Sequence, residues 1–219
     1  MRVVILGGSG FIGTALTSHL TSRGDDVVIP SRHPSTFSPS HNREFRSWDG
    51  RNAQGLAEIL EGADGVVNLL GENIAAGRWS PEQKTRIVQS RLDAGSALVA
   101  ALEMLSTRPR TLIQASATGY YGFWADAASA PDCTEERGGG SGFLAETAAQ
   151  WEDSTQRAEE LGMRRCIIRT APVLAPQGGI LSRIMPVFRL GLGGPVGSGK
   201  QPFAWIHLDD EVAAITFLL

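Results

Sequence analysis

Residues 1–13 read MRVVILGGSGFIG, and the reading of this stretch decides the fold. Val3–Leu6 is wholly apolar and rich in β-branched residues, as a parallel strand buried on both faces should be. A helical pattern follows over Phe11–Arg23, with Ile12, Ala15, Leu16 and Leu20 on one face and Gly24 where a helix C-terminal glycine belongs. Between strand and helix stand Gly7, Gly10 and Gly13. A glycine fingerprint alone is weak evidence, but this one closes a strand and opens a helix. Gly7 permits the tight turn, Gly10 lets the backbone approach a pyrophosphate, and Gly13 lets the helix lie close on the sheet. The unpaired amides and partial positive charge of the helix start suit phosphates. The bland alternative is a glycine turn that merely joins strand to helix.

The same alternation continues along the chain. Val27–Pro30 reads as a second strand, Glu44–Trp48 as a weaker third, and Ala53–Glu61 as a helix stopped by Gly62. Gly65–Leu70 is a fourth strand. SPEQ at 80–83 announces a long helix: Ser80 caps, Pro81 fits the first turn and Gln83 reaches back as a capping box. Thr111–Ser116 is a fifth strand, Phe143–Leu161 a helix, Cys166–Arg169 a sixth strand and Leu181–Leu190 another helix. Strands alternating with helices mean parallel strands and crossover connections, so the expected class is α/β with a doubly wound parallel sheet. Residues 1–219 are expected to form one domain, with substrate-side loops at about 122–142 and 191–199. The final run, DDEVAAITFLL, starts as a helix at Asp209 or Asp210 and stops, as a chain cut inside a larger domain would.

Composition narrows the function. The net charge of −3, with no basic block, gives no reason to expect nucleic acid. No stretch reaches the ~18–20 apolar residues a bilayer crossing needs, and the opening strand is not a secretion signal. Cys133 and Cys166 form no framework, which favours free thiols and a cytoplasmic protein. No His, Cys, Asp and Glu cluster has metal-ligand spacing, so no metal is expected.

Nucleotide choice turns on the end of the second strand, where NAD-binding folds carry an acid for the ribose 2′-hydroxyl. Here the chain reads VVIPSRHP and offers Ser31 and Arg32 instead. A guanidinium suits a 2′-phosphate, and Ser9 adds a hydroxyl, so the expected cofactor is NADP. Arg32 as a solvated loop charge is the competing reading.

GGSGFIG, NLLGENIAAGRWSPEQKTRIVQSR, SATGYYG, FLAETAAQWE and WIHLDD together resemble the extended or atypical short-chain dehydrogenase/reductases. Within these they are similar to the epimerase-like subgroup, labelled nucleoside-diphosphate-sugar epimerase-like or cell-division-inhibitor-like. The resemblance covers essentially the whole chain and implies a Rossmann-type NAD(P)-binding fold. It further implies a substrate pocket completed by a C-terminal region that this chain lacks. It sets Gly7, Gly10, Phe11, Ile12 and Gly13 against the pyrophosphate, Arg32 against the 2′-phosphate and Asp49 at the adenine edge. Leu69, Leu70 and Gly71 would pass under the adenosine and pyrophosphate, with Ser116 and Ala117 on the nicotinamide side.

The family's catalytic pattern fails here. Short-chain dehydrogenases pair Ser with a YxxxK helix, whose Lys lowers the Tyr pKa so that the phenol moves a proton as hydride moves. Ser116 is in place, but aligning Glu152 with the family's following Glu puts Leu144 and Ala148 where Tyr and Lys belong. The substitutes are Tyr120 and Tyr121, which otherwise pack against the cofactor or loop. Glu72 is a further acid/base, unless it only orients a turn. Arg78, Trp79 and Arg91 are expected at the substrate, Arg91 facing inward along the Ile87 face. Trp79 alternatively staples the helix start. His207 is expected to be a hydrogen-bonded structural histidine. The expected function is an NADP(H)-dependent oxidoreductase or epimerase-like enzyme on a small polar or sugar-nucleotide-like substrate, in a possible homodimer. The alternative is a non-catalytic NADP-binding regulator.

Overall fold

The computed structural model describes residues 1–34, 41–195 and 197–219. Among these, six strands form one parallel sheet: β1 (Arg2–Leu6), β2 (Asp26–Ser31), β3 (Arg43–Ser47), β4 (Gly65–Asn68), β5 (Thr111–Ala117) and β6 (Arg164–Thr170). Their order across the sheet is β3-β2-β1-β4-β5-β6, the doubly wound arrangement expected. The crossovers are α1 (Phe11–Ser22), α2 (Ala53–Leu60), α3 (Pro81–Met104) and α4 (Phe143–Asp153) with the short α5 (Arg157–Glu160). Beyond β6, β7 (Val173–Ala175) pairs in parallel with β8 (Ile206–His207), Val173 opposite Ile206. α6 (Gly179–Arg189) lies between them in sequence, and α7 (Leu208–Leu218) follows.

The alternation of side chains along each strand builds two cores. Val4, Leu6, Val28, Val66 and Leu112 pack with Leu56, Leu60, Leu98 and Leu102 of α2 and α3. Val3, Ile5, Val27, Ile29, Val67 and Ile113 pack with Leu16 and Leu20 of α1 and with Val212 and Ile215 of α7. Each such side chain, fully buried, contributes about 1.5–3 kcal/mol. Val3 sits opposite both Val27 and Gly65, so β1 is the shared register strand. Helices leave β1 and β4 towards opposite faces of the sheet, which opens a crevice at the carboxyl ends of these neighbours.

Two helix details depart from expectation. Ser80 does cap α3, accepting from the Gln83 amide at 3.2 Å, with Pro81 in the first turn. The reciprocal half of the box is missing, because the Gln83 side chain accepts from Arg86 and the Ser80 amide donates to the Arg78 carbonyl at 2.9 Å. The single helix expected over Phe143–Leu161 breaks after Asp153. There the amides of Thr155 and Gln156 donate to carbonyls three residues back, Glu152 and Asp153, at 3.4 and 3.0 Å, while Ser154 Oγ donates to the Trp151 carbonyl at 2.7 Å and Arg165 Nη1 to the Glu152 carbonyl at 2.8 Å.

Of the two loops expected on the substrate side, residues 122–142 hold only one 3₁₀ turn, Ala127–Ser129. Residue 196 of the second loop lies outside the described residues. His207 caps α7, its Nδ1 accepting from the Asp209 amide at 3.2 Å, the structural role expected.

Candidate functional site

The crevice begins at the glycine loop. Gly7 has φ +81°, a left-handed conformation that favours glycine, and a Cβ there would lie 3.0 Å from the Leu69 carbonyl. The loops after β1 and β4 therefore touch at Gly7 and Leu69. A Cβ on Gly13 would approach Gly8 Cα to 2.6 Å and intrude on the Gly7 carbonyl oxygen, so α1 can start this close to the loop only with glycine at 13. Gly10 is the N-cap and offers no side-chain oxygen to the helix. The first-turn amides of Phe11, Ile12 and Gly13 thus lack an intrahelical acceptor and face the crevice mouth as an anion seat. These residues fit a pyrophosphate by their own geometry. The Phe11 ring packs elsewhere, against Gly178–Gly179, where a Cβ on Gly178 would come within 2.6 Å of Cε2.

Ser31 ends β2 and accepts from the His33 amide at 3.2 Å, keeping its hydroxyl hydrogen free. Arg32 follows it, exposed and with no partner among the described residues. Ser9 is likewise exposed in the glycine loop. Asp49 sits two residues past β3, where its Oδ1 accepts from the amides of Arg51 and Asn52 at 2.8 and 2.7 Å. Those amides, Asn52 first, hold its carboxyl below the usual range. Parallel strands carry all of these positions to one edge, together with Leu69, Leu70, Gly71, Ser116 and Ala117.

The substrate-side expectations fare differently. Arg91 does turn inward, but under the backbone: its Nη1 donates to the carbonyls of Glu72 and Ile87 at 3.2 and 2.8 Å. Its guanidinium lies 4.6 Å from the Trp151 ring centre, and a Cβ on Gly71 would meet it at 2.8 Å. Burial pushes its pKa down to about 10, with Glu72 opposing the shift. Arg91 thus supports the Gly71–Glu72 turn; its hydrogen bonds go to the protein's own carbonyls. The Glu72 amide donates to Ser90 Oγ at 2.9 Å, tying the same turn to α3. Trp79 closes its own loop, donating to the Ile74 carbonyl at 2.8 Å and meeting Phe143 edge-on at 5.4 Å. No local staple forms, because the N4 residue, Lys84, places its ammonium over that same Phe143 ring. Arg78 is exposed.

At the end of β5 the structure assembles a network that no motif signalled. The Ser116 hydroxyl donates to Glu152 Oε1 at 2.6 Å. Arg169 grips the same carboxylate in bidentate fashion, Nε to Oε1 and Nη2 to Oε2, both at 2.9 Å. Its Nη1 donates to the Tyr121 hydroxyl at 2.9 Å, and that hydroxyl donates on to the Thr134 carbonyl at 3.0 Å. Ser116, Tyr121 and Glu152 are all buried. The hydroxyl hydrogens of Ser116 and Tyr121 are therefore committed within the protein. For either hydroxyl to handle a substrate proton, as expected, these bonds have to be exchanged for bonds to the ligand. Tyr120 differs. Arg169 stacks on its ring at 3.7 Å, and among the described residues its hydroxyl has no hydrogen-bond partner. Leu144, at the expected Tyr position, lies against Gly119, its Cβ 3.5 Å from where a Cβ there would sit; Ala148 is buried. The β5–β6 register sets Ser116 beside Arg169 and α4 carries Glu152 to both, and the sequence holds no spacing that announces it.

The β3-β2-β1-β4-β5-β6 order, the bare helix start and the Gly7–Leu69 contact define a dinucleotide-binding α/β protein of the Rossmann class. The chain belongs to the NAD dependent epimerase/dehydratase family, which it matches over residues 3–219. It is 39% identical over 217 residues to the epimerase family protein Mb2239 of Mycobacterium bovis, covering 99% of this chain and 68% of that one. Its structure is similar to that of the human epimerase family protein SDR39U1 crystallised with NADPH (TM-score 0.81, 33% identity, 99% of this chain and 69% of that one). It is also similar to a nucleoside-diphosphate sugar epimerase from Corynebacterium glutamicum (TM-score 0.80, 32% identity, 100% of this chain and 43% of that one). Among the described residues no helix is long and apolar enough to cross a membrane, and no group of His, Cys, Asp and Glu is placed to hold a metal.

Proposed function

We propose that this protein binds NADP(H) and acts as an oxidoreductase or epimerase-like enzyme on a small molecule, with Tyr120 as the group that handles the proton. The observation that carries the reading is the bare α1 start beside the Gly7–Leu69 contact, with Arg32, unpaired among the described residues, one strand away on the same edge. Phe11, Ile12 and Gly13 hold the pyrophosphate through their amides, Ser9, Ser31 and Arg32 the 2′-phosphate, and Asp49 the adenine edge. Leu69, Leu70 and Gly71 floor the crevice. The nicotinamide supplies or receives the hydride. The chain's own residues position the reactants: Ala117 ends β5 beside the reacting end, and Tyr120 presents a phenol whose hydroxyl has no hydrogen-bond partner among the described residues. Arg169, stacked on that ring, holds it in place. The NADPH-bound human relative supports the cofactor assignment.

The test mixes the protein with NADPH and a panel of carbonyl compounds and follows nicotinamide absorbance. Sustained consumption, lost in Tyr120→Phe and kept in Tyr121→Phe, is the expected result. Product analysis covers an epimerase, which returns its hydride and shows no net change. Tight NADPH binding without turnover or product, unaltered by Tyr120→Phe, would establish the second reading, a non-catalytic NADP(H)-binding regulator. That reading is favoured by Leu144 and Ala148, which cannot exchange protons. Cell fractionation and light scattering check the cytoplasmic location and the homodimer.

A further inference from the structure

Beside Tyr121 a cleft of about 590 Å³ opens between the end of β6, residues 122–135 and Pro202–Ala204. We infer that it takes a planar aromatic ligand, neutral or cationic, and that the residues of this chain give it no seat for a nucleoside diphosphate. The inference rests on reading this cleft as the substrate side of the proposed enzyme. Its position supports that reading, since Thr118 and Tyr121 line it directly after β5, on the edge that carries the glycine loop, and Tyr120, outside the lining itself, stacks on the lining residue Arg169.

Recognition of a diphosphate needs uncommitted cations or a helix start. The lining offers neither. Arg169 is the cation in the wall, and its guanidinium already spends N–H groups on both Glu152 oxygens, on Tyr121 and, at 3.4 Å, on the Glu135 carbonyl. Of five donors one is left. The other charged lining residue is Glu135, an exposed carboxylate with no ion-pair partner among the described residues. No lining residue belongs to the first turn of an α-helix. Arg137 is not among the lining residues, and its guanidinium lies 6.0 Å from the ring centre of Trp124, which is. Most of the remaining lining is apolar, with Phe123, Trp124, Ile167, Pro131 and Pro202 beside the polar Thr118, Tyr121 and Cys133. Aromatic faces of this kind stack planar rings and attract cations, and the Glu135 carboxylate adds to that attraction.

Isothermal titration of the chain with 2-naphthaldehyde, 2-naphthylmethylamine and UDP-glucose, each with and without NADPH, tests this. Saturable binding of both naphthyl probes is expected, weakened about tenfold by Trp124→Ala and by Phe123→Ala. Phe123 is 80% exposed, so its loss leaves the fold intact. The amine should bind more tightly than the aldehyde and lose that advantage in Glu135→Gln. UDP-glucose should show no saturable binding. Saturable UDP-glucose binding that Arg137→Ala abolishes, or failure of both naphthyl probes to bind, would overturn the proposal. NADPH titrated into the same samples separates the two readings. Naphthyl binding without NADPH binding removes the cofactor assignment alone, and the converse removes the cleft assignment alone.

Discussion

Ser116 and Glu152 lie thirty-six positions apart in sequence, and their side chains meet in a buried hydrogen bond of 2.6 Å. The carboxylate is shared with Arg169, so one serine, one acid and one guanidinium form a unit at the end of β5. Removing the acid strands a cation that the fold has partly withdrawn from water. Glu152→Ala should destabilise the protein by about 3–5 kcal/mol, and Glu152→Gln by less, because it keeps one acceptor for Arg169. Denaturant unfolding of the two variants measures this; equal stability of wild type and Glu152→Ala would contradict the assignment.

At Gly13 the conflict is steric. A methyl group there meets the backbone of Gly7 and Gly8, which cannot swing aside as a side-chain end would. Gly13→Ala should cost about 1–3 kcal/mol and, by shifting α1 away from the loop, abolish NADPH binding measured by fluorescence. Gly24→Ala, where the added atom meets nothing within 4 Å but φ is +87°, separates the two effects: it should lower stability and leave the nucleotide bound.

Arg32 sets the preference for the phosphorylated nucleotide in the reading proposed here. One charge-assisted bond contributes about 1.5–3 kcal/mol, so Arg32→Ala should weaken NADPH about tenfold to somewhat over a hundredfold and leave NADH unchanged. Equal dissociation constants for NADPH and NADH in the wild type would refute the assignment.

Glu211 on α7 is buried, with Thr170 Oγ1 donating to it at 2.8 Å. Burial raises its carboxyl above the ordinary 4.5, and the Thr170 bond opposes this only in part. The folded state therefore holds this proton to higher pH than the unfolded chain does. The associated stability is fully present below 4.5 and is lost as pH rises through the folded value. Glu211→Gln mimics the protonated form and keeps an acceptor for Thr170. Its melting temperature relative to wild type should climb as pH is raised from 4.5 and then level off; a constant difference would show that Glu211 does not titrate this way.

Gly95 is where α3 crosses the end of α4. A Cβ there would sit 2.6 Å from Ser154 Cβ. Gly95→Ala should destabilise by about 1–3 kcal/mol despite the better helix propensity of alanine, and Ser154→Gly should restore part of the loss. Chemical denaturation of the four proteins in this cycle decides it.

The elements whose physics is local were legible in the amino-acid order. Four apolar residues before Gly7 need a buried strand, Ser80–Pro81 need a helix to begin, and Gly24 and Gly62 need one to end, because each acts on its own backbone neighbours. The break at Ser154 escaped, since the turn there is held in part by Arg165, eleven residues on, whose bond to the Glu152 carbonyl is a tertiary contact. Ser31 and Arg32 were locatable because a parallel sheet sends every strand end to one edge.

What each polar side chain does there was a different matter. Ser116, Tyr121 and Arg91 were each recognised as near the site, and each spends its hydrogen bonds inside the protein, on Glu152, on Thr134 and Arg169, and on the carbonyls of Glu72 and Ile87. By itself, then, the sequence determined the doubly wound fold and the glycine seat for a diphosphate. Only the tertiary structure decided which hydroxyls and cations remain free to meet a ligand, because hydrogen bonds between distant segments exist only once the β5–β6 register and the α4 crossing have brought their donors and acceptors together.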